Sequence, residues 1–86
     1  MRRGPFYWHS GGEVIAGGRA LNSGDLRVLA ALHQDERRAA RAAGDRLAHR
    51  RASRLIADLA QARLAAARWR RASFGIGRNR EEIIFR

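Results

Sequence analysis

Arg46, Arg50 and Arg54 recur at every fourth position. On a helix that spacing places three guanidiniums on one face, about one turn apart. Carried on at about 100° per residue, Arg68 and Arg71 return to nearly the same face. A guanidinium is a planar fork of donors that grips phosphate oxygens two at a time and stays charged at any physiological pH. A row of them can follow a phosphate backbone over successive helical turns. Arg37, Arg38 and Arg41 add a basic patch just upstream. The residues expected to touch nucleic acid are therefore Arg37, Arg38, Arg41, Arg46, Arg50, Arg54, Arg68 and Arg71. The bland alternative is a solvated polar face, but Asp45 and Asp58 are the only acids between Asp45 and Ala72 to neutralise it.

Other reactive residues form no constellation. His9, His33 and His49 lack the spacing of a metal motif, and no cysteine exists to complete a ligand set. Asp35-Glu36 and Glu81-Glu82 are adjacent in sequence, so on a helix they diverge and cannot share a proton. No nucleophile motif surrounds Ser10, Ser23, Ser53 or Ser73. The glycine pairs lack the Gly-Lys-Ser/Thr ending of a phosphate loop, and the chain has no lysine. The expectation is a protein that is not an enzyme and uses no cofactor and no metal. Arg50-Arg51-Ala52-Ser53 and Arg70-Arg71-Ala72-Ser73 resemble basic-directed kinase substrate sites. A phosphate at either serine would lower the local charge.

Composition agrees with an anionic partner. All 18 basic residues are arginine and 8 residues are acidic, a net charge of +10. Such a field draws nucleic acid or other polyanions. GC-rich codons explain arginine in place of lysine, but explain the charge excess less well. In 86 residues rich in alanine, a self-sufficient core is marginal, so a homo-oligomer or a subunit of a larger complex is expected. No apolar run approaches the ~20 residues of a membrane span. The opening Met-Arg-Arg-Gly-Pro-Phe-Tyr-Trp-His lacks the apolar core of a secretory signal. A cytoplasmic or virion location is expected.

The elements that must position these residues fall in three zones of one small domain, 1–86. Residues 1–24 hold six of the nine glycines and the Phe6-Tyr7-Trp8 cluster. A ribbon is expected there: a strand through His9, a turn at Ser10-Gly11-Gly12, a return over Glu13–Ala16, then a break at Gly17-Gly18. Residues 25–72 are helical by composition, entered through a cap at Asn22 or Ser23. In the first half, Val28, Leu29, Leu32, Ala39, Ala40 and Ala43 share one arc. In the second, Ala48, Ala52, Leu55, Ile56, Leu59, Ala62 and Ala66 share another. A straight helix would set these arcs about 160° apart, so a break at Gly44-Asp45 is expected, with helices near 24–43 and 45–72. Residues 73–86 end in Ile83-Ile84-Phe85, which suit a short strand. The fold class is mainly α: a helical hairpin, or one long helix in an oligomer, flanked by a short N-terminal β-ribbon and a C-terminal strand-like tail.

Three details bear on partners. Arg63 and Arg70 fall near the apolar arc of the second helix, where an unpaired guanidinium is costly, so each needs a partner group or an exposed stretch. Glu36 falls inside the arc of the first helix and is expected to pair with an arginine of the second. Phe6, Trp8, Ile83, Ile84 and Phe85 are the expected docking residues toward neighbouring chains. Two functions compete. One is a nucleic-acid-binding protein, on DNA or RNA, that contacts phosphates largely without regard to sequence, since base-reading Asn and Gln are few. The other is a structural subunit of a larger assembly, such as a virus particle or a ribonucleoprotein, docking through its aromatic head and apolar tail.

Overall fold

The computed structural model of the chain describes the backbone of residues 6–84 and the side chains of residues 6–73. Three strands come first, β1 (Trp8–Ser10), β2 (Glu13–Ala16) and β3 (Arg19–Leu21), then two helices, α1 (Ser23–Ala43) and α2 (Arg46–Ile84). The strands form an antiparallel meander in the order β1-β2-β3. Ser10 faces Glu13 and Ala16 faces Arg19, so both hairpins close through two glycines. All four of these glycines have positive φ, between 56° and 84°. That is the type I′ turn, whose twist matches that of the strands it joins. Gly17-Gly18 is therefore a second hairpin rather than the expected break, and Arg19–Leu21 becomes a third strand. The two-glycine turn sets the register of β3 against β2, and α1 follows β3 after one residue.

α1 starts on a capping box. The Asn22 side chain accepts the Asp25 N–H at 2.8 Å, and the Asp25 carboxylate accepts the Asn22 N–H at 3.2 Å. The hairpin between the helices, expected at Gly44-Asp45, forms there. Gly44 sits in the left-handed region at φ 70°. Its N–H reaches the Arg41 carbonyl at 3.2 Å, and the Asp45 N–H reaches the Ala40 carbonyl at 2.9 Å. This is a Schellman ending. Asp45 then caps α2, its carboxylate accepting the Ala48 N–H at 3.0 Å. One residue thus closes one helix and opens the next, which allows so short a connection.

The core lies where the sheet meets both helices. Tyr7, Val14, Leu59, Ala62 and Ala66 are buried together, flanked by Leu21, Leu26, Leu29 and Leu55. On α2 the buried side is the expected arc. On α1 it is not. Val28 and Leu32 are 68% and 49% exposed, while His33 is 6% exposed. The buried side of α1 runs through Leu26, Leu29, Ala30, His33 and Ala40, rotated by roughly a quarter turn from the expected arc. This side packs Leu26, Leu29 and Ala30 and also carries a polar pair. The buried Tyr7 hydroxyl needs a partner, and it donates to His33 Nε2 at 2.6 Å. Nδ1 of the same ring donates to Glu36 at 2.9 Å. Leaving such a hydroxyl unpaired would cost about 1–3 kcal/mol. Glu36 therefore pairs with His33 in its own helix, not with an arginine of α2.

The expected strand-like tail does not form, because α2 runs on to Ile84. Each residue added to a growing helix gains a backbone bond at little cost. Gly75 and Gly77 oppose this by only about 1 kcal/mol each, and no proline intervenes. A strand would need an edge to pair with, and the sheet meets α2 upstream, at Asp58 and at Trp69-Arg70. The docking role expected of Ile83, Ile84 and Phe85 falls outside the described side chains. No helix among the described residues is long and apolar enough to cross a membrane.

Candidate nucleic-acid interface

The elbow between the helices gathers arginines from both sides of the turn. Arg41 stands in the last turn of α1, and Arg46 and Arg50 in the first turns of α2. With Ala40, Gly44, Asp45, His49 and Ser53 they line an open cleft of about 620 Å³. The Schellman ending and the Asp45 cap fix this geometry, because together they set the direction in which α2 leaves α1. All three arginines are exposed, and His49 is half-buried. Asp45 is the one carboxylate of the lining, and it already accepts a backbone N–H.

The charge of the cleft comes from side chains rather than from the backbone. The C-terminal end of α1 carries a partial negative charge and the N-terminal end of α2 a partial positive one. Meeting at the elbow, the two largely offset. The guanidiniums remain. Among the described residues, Arg41, Arg46, Arg50 and Arg54 have no carboxylate within ion-pair range, the ion pairs being His33–Glu36 and Arg38–Asp35.

The other expected contacts are placed differently. Arg54 continues the row one turn beyond Arg50. Arg68 and Arg71 are exposed on the same face, but about 20 Å farther along α2 at 1.5 Å per residue. The stretch between them, Ala57 to Leu64, presents alanine, glutamine and leucine on that face. Arg37 is half-buried and donates to Gln34 at 3.0 Å, and Arg38 pairs with Asp35 at 3.2 Å. These two are already engaged within α1. The elbow thus collects Arg41, Arg46 and Arg50, the row extends to Arg54, and Arg68 and Arg71 form a separate pair.

Arg70 finds its partner inside the chain. It donates to the Gly12 carbonyl at 2.6 Å, joining the first hairpin turn to α2. A Cβ on Gly12 would stand 2.7 Å from the Arg70 side chain and 2.9 Å from the Trp69 ring, so only glycine lets the turn approach so closely. Arg63 is exposed. A cavity of about 850 Å³ lies between this turn, the start of α1 and α2, lined by apolar residues together with Glu13, Asn22, Ser23, Arg63 and Arg70. It is remote from the elbow.

The Tyr7–His33–Glu36 chain went unforeseen in sequence. Its order of phenol, imidazole and carboxylate resembles a catalytic relay, but the phenol is only 2% exposed, so no substrate reaches it. Burial, and next the negative charge of Glu36, pushes the Tyr7 phenol above its ordinary range, which keeps it a neutral donor. His49 in the elbow was also missed. Its spacing from Arg46 and Arg50 on the helix was legible, whereas the approach of Arg41 was not. Of the expected docking residues, Phe6 and Trp8 are 57% and 54% exposed. No family model, curated protein or solved structure matches the chain.

Proposed function

We propose that this protein binds nucleic acid through the arginine elbow and its continuation along α2, gripping phosphates with little regard to sequence. The observation that carries the reading is the convergence of Arg41, Arg46 and Arg50 on one open cleft, with Arg54 in line and, among the described residues, no carboxylate pairing any of them. Exposed guanidiniums that no carboxylate of the described residues pairs, Asp45 of the same lining being engaged with a backbone N–H, fit a polyanion better than they fit a solvated surface, which gains from interspersed charges of both signs. Four phosphate contacts on a duplex predict a slope of about −3 to −4 in log affinity against log salt.

The test begins with protein purified in about 1 M salt, which strips electrostatic ligands, followed by titration with labelled oligonucleotides at decreasing salt. The double substitution Arg46→Gln/Arg50→Gln is expected to weaken binding about tenfold or more and to flatten the slope by nearly 2. Binding that ignores salt, or that survives this substitution unchanged, rules the reading out.

A second reading is a subunit of a larger assembly. It is favoured by the large apolar side chains left at the surface, Phe6, Trp8, Val28, Leu32, Leu47, Leu64 and Trp69, each about half exposed or more. Light scattering on the same high-salt sample addresses it. A chain that is monomeric and folded at high concentration argues against an obligate assembly, and one that aggregates and binds no oligonucleotide replaces the first reading with this one.

A further inference from the structure

The outward face of α2 carries two arginine clusters held apart by an uncharged interval. Counted at about 100° per residue, Arg46, Arg50, Arg54, Arg68 and Arg71 fall within one arc of about 100°. Between the clusters the same arc holds Ala57, Gln61 and Leu64, and no charge. All of these residues are exposed. The arc lies opposite Ala52, Leu59, Ala62 and Ala66, the buried side of the helix. Asp58 is the only acid among the described side chains of α2. It stands off the arc and accepts the Phe6 N–H at 3.1 Å.

The interval has a fixed length. From Arg54 to Arg68 the helix rises about 21 Å, at 1.5 Å per residue. The helix is continuous through both clusters, and neither glycine nor proline stands between Arg46 and Arg71 to kink it. The N-terminal strand region is tied to the helix near both ends of the interval, through Phe6 on Asp58 and through Gly12, whose carbonyl accepts from Arg70 at 2.6 Å. The two clusters are thus presented on one straight, braced element.

We infer that α2 lies across the wide groove of a nucleic-acid duplex, with Arg46, Arg50 and Arg54 on the phosphates of one strand and Arg68 and Arg71 on those of the other. The inference rests on the nucleic-acid reading above and goes beyond it by naming a double-stranded ligand and a second contact. The groove sets the scale. The major groove of a B-form duplex is about 12 Å wide, and the phosphate groups on its two rims add several ångströms. Arginine side chains leaning inward from each cluster take up the rest of the interval. The B-form minor groove, about 6 Å wide, is too narrow. In A-form RNA the wide groove is the minor one, so either duplex offers two phosphate rows at such a separation. Stiffness selects the duplex over a single strand. A duplex is straight over a site of this size, so it meets both clusters only where their spacing matches its own. A single strand bends to any spacing and draws no advantage from a fixed one. The interval suits a groove as well, since it holds no carboxylate to repel the two phosphate rows and no charge to desolvate.

The experiment titrates the full chain, by fluorescence anisotropy at several salt concentrations, with a DNA hairpin duplex, an RNA hairpin duplex and a thymidine oligonucleotide carrying as many phosphates. Arg68→Gln/Arg71→Gln is expected to weaken duplex binding about tenfold or more, to flatten its salt slope by nearly 2, and to weaken binding of the thymidine strand less. A relocated variant adds Gln61→Arg/Leu64→Arg to that pair. It restores the charge on the same face but closes the interval. It is expected to bind the thymidine strand as the parent does and to leave the duplex affinity unrecovered. Unchanged far-ultraviolet dichroism checks its fold, and Arg68→Gln/Arg71→Gln carries the test alone if the relocated variant folds poorly. The hairpin bound more tightly by the parent names the groove. Duplex binding that is indifferent to Arg68→Gln/Arg71→Gln, or fully restored by the relocated variant, overturns the inference. So does a parent that prefers the single strand. In each of these cases the nucleic-acid reading stands if Arg46→Gln/Arg50→Gln still weakens binding. Failure of all three oligonucleotides to bind removes that reading and the inference with it.

Discussion

The two helices bury their sides by different rules. α2 buries the arc its apolar residues mark out, with Ala52, Leu59, Ala62 and Ala66 inside. α1 turns a side centred on a histidine toward the core and leaves Val28 and Leu32 in solvent. The difference follows from their neighbours. α2 is packed by α1, β1 and β2, whereas α1 meets α2 and, at its start, β3. A helix with several apolar neighbours is oriented by area. The orientation of α1 leaves Val28 and Leu32 in solvent but packs Leu26, Leu29 and Ala30 and pairs a buried hydroxyl that would cost about 1–3 kcal/mol left alone.

The largest effect that would break this contrast is a truncation on each helix. Leu59→Ala, at a position 3% exposed, is expected to cost about 2–5 kcal/mol in urea unfolding. Leu32→Ala is expected to change stability by less than about 0.5 kcal/mol. Val28→Ala is expected to be neutral or slightly stabilising, since alanine is the better helix former. Equal losses at Leu59 and Leu32 in a monomer would show that α1 buries its apolar arc after all.

The next effect tests what orients α1. Tyr7→Phe removes the donor to the buried His33 and is expected to cost about 1–2 kcal/mol. It also has a pH signature. The Tyr7 phenol is raised in the fold, first by desolvation and then by Glu36. The fold therefore favours the protonated phenol. Its contribution is fully present below the unfolded value near 10 and is lost as pH rises through the folded value. Unfolding midpoints measured through that alkaline range should fall more steeply for the parent than for Tyr7→Phe. Parallel curves would remove Tyr7 as the cause.

The smallest effect concerns the elbow that joins the helices. Asp45→Ala deletes the cap on Ala48 and is expected to cost about 1 kcal/mol. It also removes the one carboxylate lining the cleft, so affinity for oligonucleotides should rise modestly while stability falls. A parallel fall in both would mean that the elbow geometry, and not its charge, governs binding.

Much of this was legible along the chain. Gly44 and Asp45 announced the hairpin because their backbone preferences act over a few residues. The 46/50/54 row and its position opposite Leu55 and Leu59 followed from helical period alone. The break read at Gly17-Gly18 and the strand read at Ile83-Ile84 failed for a common reason: strand pairing is non-local, and it depends on which edge is within reach. The meeting of Arg41 with Arg46 and Arg50 depended on how the hairpin closes.

Local chemistry, written in the residue order, determined the helices, their caps, the tight turn and the excess of positive charge. Which side of α1 turned inward, which arginines came together and which rings were left facing outward were decided only when the chain packed. Those outcomes rest on contacts between residues far apart in sequence, such as Tyr7 with His33 at 2.6 Å, Phe6 with Asp58 at 3.1 Å and Arg70 with Gly12 at 2.6 Å, and no local periodicity encodes a contact of that range.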